Sequence, residues 1–142
     1  MAAVGPVITS EDKKPAAMQG ERRGADRLTI DLVDDASVIR SDWEGLERDP
    51  LNSLHQGFGW CSIWAQTQDS PLLIIRGRQG GKTVFLLPLE IVQEGGIRKA
   101  HFPGGRFNNI NTGLFDPTFA EEAGHKTAAA IAREARKLLH GR

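Results

Sequence analysis

The chain has 142 residues, enough for one domain or part of a larger one, and its 18 basic and 18 acidic side chains balance. That balance sets up no field to draw the chain onto nucleic acid or an anionic membrane, so neither is an expected partner. No stretch approaches the about 20 apolar residues of a membrane span, and the N-terminus lacks the apolar core of a signal peptide, which makes the cytoplasm the default location.

Residues 1–26 are rich in Ala, Gly, Pro and charged side chains without hydrophobic periodicity, and read as a disordered tail ahead of a folded unit over 27–142. That unit opens with RLTIDLV, where Leu28, Ile30 and Leu32 alternate with polar residues as in a half-buried strand. Asp35 can then cap a helix whose Ile39, Trp43 and Leu46 follow helical spacing, and Asp49-Pro50 marks its end. A second helix is predicted over FGWCSIWAQ. Its apolar residues Phe58, Trp60, Cys61, Ile63 and Trp64 surround most of the axis, which predicts deep packing or a cavity wall.

Three strands are predicted next, Leu72 to Arg76, Val84 to Val92 and Ile97 to Phe102, as an antiparallel meander with Gly95-Gly96 as its second turn. The first turn lies in GRQGGKT, which begins at Gly77 and resembles the ending of a phosphate-binding loop. The spacing is one residue short of Gly-x-x-x-x-Gly-Lys-Ser/Thr, and both flanks read as strands where a nucleotide loop would lead into a helix, so Gly80-Gly81 is read as a hairpin turn. Pro88 inside the longest strand cannot donate a ladder hydrogen bond and predicts a bulge or an edge there. After a polar loop, TGLF extends the sheet. A single last helix is predicted from Pro117 and the Thr118–Glu121 capping box to Gly141, with Ala123, Thr127, Ile131, Ala135 and Leu138 as its buried stripe. The fold class is therefore α/β (α+β), in the order β-α-α-β-β-β-α around a mainly antiparallel sheet.

This order, with the stretches FGWCSIWAQ, VFLLPLEIV, GGIRKAHFPGG and NNINTGLFDP, resembles the N-terminal half of the CelD/BcsL-type acyltransferases of the GNAT superfamily, associated with cellulose biosynthesis. The resemblance runs from about Leu28 to Leu139 and implies a GNAT-like half-domain of a longer enzyme. That enzyme would transfer an acyl group from acetyl-CoA or another acyl-CoA to an amine, with a small molecule or polysaccharide precursor as acceptor. One departure bears on the donor. The family's Gln/Arg-x-x-Gly-x-Gly/Ala turn holds the coenzyme A pyrophosphate before a helix, whereas here the junction reads LFDPTFAEEAGHKT. Asp116 and Glu121 put negative charge at that helix start, so donor binding is expected in a missing C-terminal half, and this chain alone is expected to be truncated, inactive and without cofactor.

No residue is assigned a catalytic role. Cys61 lies in an apolar helix without sequence-near cations and reads as a packed thiol; with no second cysteine it forms no internal disulfide, in keeping with a reducing compartment. The four histidines show no metal-ligand spacing, so no metal is expected. Trp60 and Trp64, one helical turn apart, read as core ahead of a substrate platform. In the loop FPGGRFNNINTG, Arg106, Asn108, Asn109 and Asn111 offer donors and acceptors beside flexible glycines and are the candidate substrate-binding residues. The same asparagines could equally bond their own backbone and shape a turn. The expected function is thus the acceptor-side part of an N-acyltransferase, the alternative a non-catalytic polar-ligand or protein-interaction module on an inherited fold.

Overall fold

The computed structural model describes residues 27–49 and 52–142. The expected tail 1–26 and the helix stop at Pro50 lie outside the described residues. Among those described, the strands are β1 (Thr29–Val33), β2 (Leu73–Gln79), β3 (Lys82–Glu94), β4 (Ile97–His101) and β5 (Leu114–Phe115). The helices are α1 (Arg40–Glu47), α2 (Phe58–Gln68), α3 (Pro117–Glu122) and α4 (His125–Leu139).

The sheet is antiparallel, ordered β1-β2-β3-β4, with β5 also on β3. The chain is an α+β fold. Gly80 and Gly81 take φ of 59° and 79°, and Gly95 and Gly96 take 58° and 80°, left-handed values that glycine adopts without steric cost in a two-residue hairpin turn. GRQGGKT is therefore a β-hairpin.

One edge of β3 serves β2, and the other is shared. Glu90 to Glu94 pair with β4, and Phe85 and Leu86 pair with β5. Together β4 and β5 form one line of strand, interrupted by an excursion over residues 102–113. Pro88, fully buried, falls in the gap between the two partners, where no ladder hydrogen bond is required of it. Of the bulge or edge expected at Pro88, the edge is met, since no strand pairs with β3 on that side there, and the bulge lies elsewhere, the register slipping between Gly77 and Arg78.

Alternation along the strands feeds two cores. On one face Ile74 of β2, Leu86 of β3 and Leu114 of β5 pack with Ile39, Trp43 and Leu46 of the first helical segment and Cys61 of α2. On the other face Ile75, Val84, Phe85 and Leu89 pack with Phe119 and Ile131, joined at the margin by Ile30 and Leu32 of β1 and by Leu28 just before it. Helices thus cover both faces of the sheet.

Local signals explain most helix ends. Asp35 Oδ1 accepts the Ser37 backbone N–H at 2.9 Å and opens a short 3₁₀ turn, Ala36–Ile39, that leads into α1. Gly57 at the start of α2 has no side chain to cap with, and Glu47 Oε2 at the end of α1 accepts the Phe58 N–H at 2.8 Å instead. The C-terminal helical region departs from expectation in two ways. Asp116, not Thr118, is the cap, its Oδ1 accepting the Phe119 N–H at 3.1 Å with Pro117 at the first helical position. The helix is also divided, because Ala123 and Gly124 take extended backbone and α4 starts afresh from Gly124. No helix among the described residues is long and apolar enough to cross a membrane.

Candidate binding site

The excursion 102–113 is fixed at both ends by polar ties. At its start Asn108 Nδ2 donates to the Pro103 carbonyl at 2.6 Å and to Asn111 Oδ1 at 3.2 Å, while Asn111 Nδ2 donates to the Gly105 carbonyl at 2.8 Å. The Asn108 amide lies directly on Gly104, where a Cβ would meet its Oδ1 at 2.5 Å; with φ of 84°, that position admits glycine for two reasons. At its end the Gly113 carbonyl accepts from Gln56 Nε2 at 3.1 Å. Gln56 is 3% exposed; its Oε1 accepts the Ser53 N–H at 2.6 Å and its carbonyl accepts Trp43 Nε1–H at 2.9 Å. One buried glutamine therefore ties the loop to α1 and to the turn before α2.

Held this way, the loop walls a cavity of about 420 Å³ with α2, β3 and β4, lined by Trp64, Glu90, Glu94, His101, Gly104, Gly105, Arg106 and Phe107. Glu90 sits on the same face of β3 as Leu86 and Pro88, so strand alternation aims it toward α2. It is 7% exposed, and its Oε2 accepts Trp64 Nε1–H at 2.9 Å. His101 faces it across the β3–β4 ladder. Glu94 pairs with Lys99 at 2.7 Å, and this bond first of all holds the Glu94 carboxyl below its ordinary value. The Arg106 guanidinium lies over the Phe107 ring at 5.0 Å, and Phe107 in turn stands 6.5 Å from Trp64.

The four loop residues separate into distinct roles. Arg106 lines the cavity, Asn108 and Asn111 fold the loop, and Asn109 is exposed outside the cavity wall. Trp60 and Trp64 are half-buried with rings at 5.0 Å and near-perpendicular, and His55 extends the row at 5.4 Å from Trp60. Of the two alternatives expected for α2, deep packing is not found, whereas Trp64 does line a cavity. Cys61 is its one fully buried residue, with Phe58 and Ala65 partly buried beside it in the core, while Ile63 is 62% exposed. Burial pushes the Cys61 thiol up to about 12, with the nearby Glu47 charge adding to the effect, so it is a packed thiol and no nucleophile.

Neither Glu90 nor His101 is among the candidate binding residues that the sequence suggests. The available signal was a carboxylate within the apolar run VFLLPLEIV, on the face that carries Leu86 and Pro88. An ionisable group in such a run is either paired or functional.

A larger cavity, about 840 Å³, lies between α1, the Gly80-Gly81 turn and the start of α3, and the GGKT residues line it. Four of its polar side chains are paired within the protein: Lys82 Nζ with Asp116, and Thr83 Oγ1 with Asp42 Oδ2. Its geometry is that of a braced joint. Among the described residues no group of three or more His, Cys, Asp or Glu side chains could hold a metal ion.

Compared with protein-family models, with curated proteins and with solved structures, the chain matches none.

Proposed function

We propose that the chain is the acceptor-binding part of a GNAT-type N-acyltransferase, in which an amine attacks an acyl-CoA thioester and a base or water takes the proton. The observation that carries this reading is the interrupted β4–β5 strand, whose excursion encloses a polar and aromatic cavity at the sheet margin. The donor, acetyl-CoA or another acyl-CoA, would be held by a second half. The acceptor would be a small molecule or a polysaccharide precursor met in the cytoplasm. In this reading Arg106 contacts the acceptor directly, and Asn108 and Asn111 hold the loop that presents it.

A second reading rests on a separate observation. The β5–α3 junction contains Pro117, which has no N–H, and Asp116, which already accepts the Phe119 N–H, so the anion cradle of a donor site is lacking there. A module that binds a polar ligand without catalysis fits that junction equally well. In an enzyme combining this domain with a donor-binding half, Arg106→Ala should lower acceptor kcat/KM by about ten- to a hundred-fold and leave the donor KM unchanged. Unchanged acceptor kinetics in the folded variant would assign the loop to structure alone.

A further inference from the structure

Glu90 is a nearly fully buried carboxylate that forms no ion pair among the described residues; its hydrogen-bond donor is the neutral indole N–H of Trp64. Buried charges are ordinarily paired, because an uncompensated ion in a poorly hydrated site is costly. The cations nearby are committed elsewhere: Lys99 holds Glu94, and Arg106 lies on Phe107. His101 faces Glu90 across the strands without a hydrogen bond to it. Glu90 lines the cavity, whose walls also include Trp64 and Phe107; its Oε2 is the oxygen that takes the Trp64 N–H.

We infer that this cavity is a binding site for a small organic ammonium ion, with Glu90 as its counter-ion. The cation takes the oxygen that Trp64 leaves open, and its alkyl body lies against the ring of Trp64. A single carboxylate pairs with either kind of cation, but the negative face of an aromatic ring favours a weakly hydrated organic cation, and no group of three or more His, Cys, Asp or Glu side chains that could hold a metal ion is found among the described residues. Trp64 acts through Glu90 as well as by contact, since its N–H fixes the carboxylate orientation. Arg106 also lines the cavity, where it can donate hydrogen bonds to the oxygen-bearing body of a larger acceptor; ethanolamine and choline carry no such body beyond one hydroxyl, so toward these small probes its positive charge is chiefly repulsive.

The inference rests on the acceptor reading above and names the chemistry by which an acceptor amine is recognised. Its test measures binding and not transfer, so the two readings fail separately. Binding without acyl transfer in any pairing would overturn the transferase reading and leave the cation site standing.

The experiment is calorimetric titration of the whole chain with ethanolamine and with choline, using methyl β-glucoside and acetate as neutral and anionic controls. Both cations should bind, and neither control should. Glu90→Gln, which keeps shape and removes charge, should weaken the cations about ten-fold or more at unchanged thermal midpoint. Arg106→Glu, on an exposed residue that does not hold the loop together, should tighten them about three-fold or more. If Glu90→Gln does not fold, the Arg106→Glu titration decides alone. Absence of binding by both cations at about 10 mM, unchanged or weaker binding in Arg106→Glu, or binding of the glucoside in place of the cations would overturn the assignment.

Discussion

Gly77 stands directly opposite Phe85 in the β2–β3 ladder, and a Cβ on Gly77 would lie 2.0 Å from the Phe85 ring. The ring therefore occupies the space that a side chain would fill, at the place where the strand register slips. It packs there against Phe115 and Phe119 at 5.9 and 5.8 Å, joining β3 to β5 and α3. The first glycine of GRQGGKT thus serves the core beneath the hairpin. Gly77→Ala should displace the ring and lower stability by about 1–3 kcal/mol, the usual cost of overpacking. A urea unfolding midpoint equal to that of the parent would show that Phe85 has room to move.

The buried tie at Gln56 gives a second expectation. Gln56→Leu keeps similar bulk but leaves the Ser53 N–H and the Gly113 carbonyl without their partner. Two backbone groups stripped of partners should cost about 1–3 kcal/mol overall. The effect should be largest around 102–113, because the glutamine anchors the far end of that loop. Hydrogen exchange accelerated at Gly113 and Leu114 relative to β2 would show this; uniform exchange would mean that water replaces the amide.

How far the sequence spoke for this structure varies with the range of the signal. Strands β1 to β4, both glycine turns and the Asp35 cap depend on neighbours within a few residues, and alternation and turn chemistry placed them. Pro88 needed knowledge of two partners sharing one edge, which only tertiary register supplies. FGWCSIWAQ left deep packing and a cavity wall both open, because apolar residues all around an axis do not say which line meets the core; the structure takes the second course, with Trp64 in a cavity wall. The split at Gly124 was obscured by Thr118 and Glu121, whose spacing mimics a capping box while Asp116 does the capping. The loop was located by its Arg and Asn content, but Glu90 belongs to another strand and reaches Trp64 through the fold alone.

Acid should weaken the sheet at one cross-strand pair. Arg76 Nη2 and Nε donate to the two carboxylate oxygens of Asp31 directly opposite, at 2.6 and 3.0 Å. The bond from Arg76 holds the Asp31 carboxyl below its ordinary value of 3.8. A carboxylate depressed in the folded state binds fewer protons than in the unfolded chain, so its contribution is complete above about pH 4 and is lost as pH falls below that. Asp31 is 44% exposed and screened by solvent, which limits the contribution to about 0.5–1 kcal/mol. In Asp31→Asn the denaturant midpoint should fall at pH 7 and approach the parent value at about pH 2–3. A constant gap between the two proteins across that range would locate the acid sensitivity elsewhere.

The junction between the hairpin and α3 should bind neither nucleotide nor coenzyme A. Lys82, which a phosphate-binding loop would aim at a nucleotide, is paired with Asp116. That bond comes first among the causes that hold the Asp116 carboxyl below its ordinary value, followed by the bond from the Phe119 N–H. An anion approaching α3 would meet this carboxylate, a proline without an N–H, and a first turn whose Phe119 N–H is already satisfied. Lys82→Ala should therefore leave ATP binding undetectable before and after the change, and shift stability by about 0–1 kcal/mol, as an exposed lysine pair does. Acetyl-CoA titrated into the same two proteins should give no saturable heat. Micromolar acetyl-CoA binding that free coenzyme A displaces would place the donor site in this chain and overturn the division of labour proposed above. Loss of that binding in Lys82→Ala would locate the site at this junction.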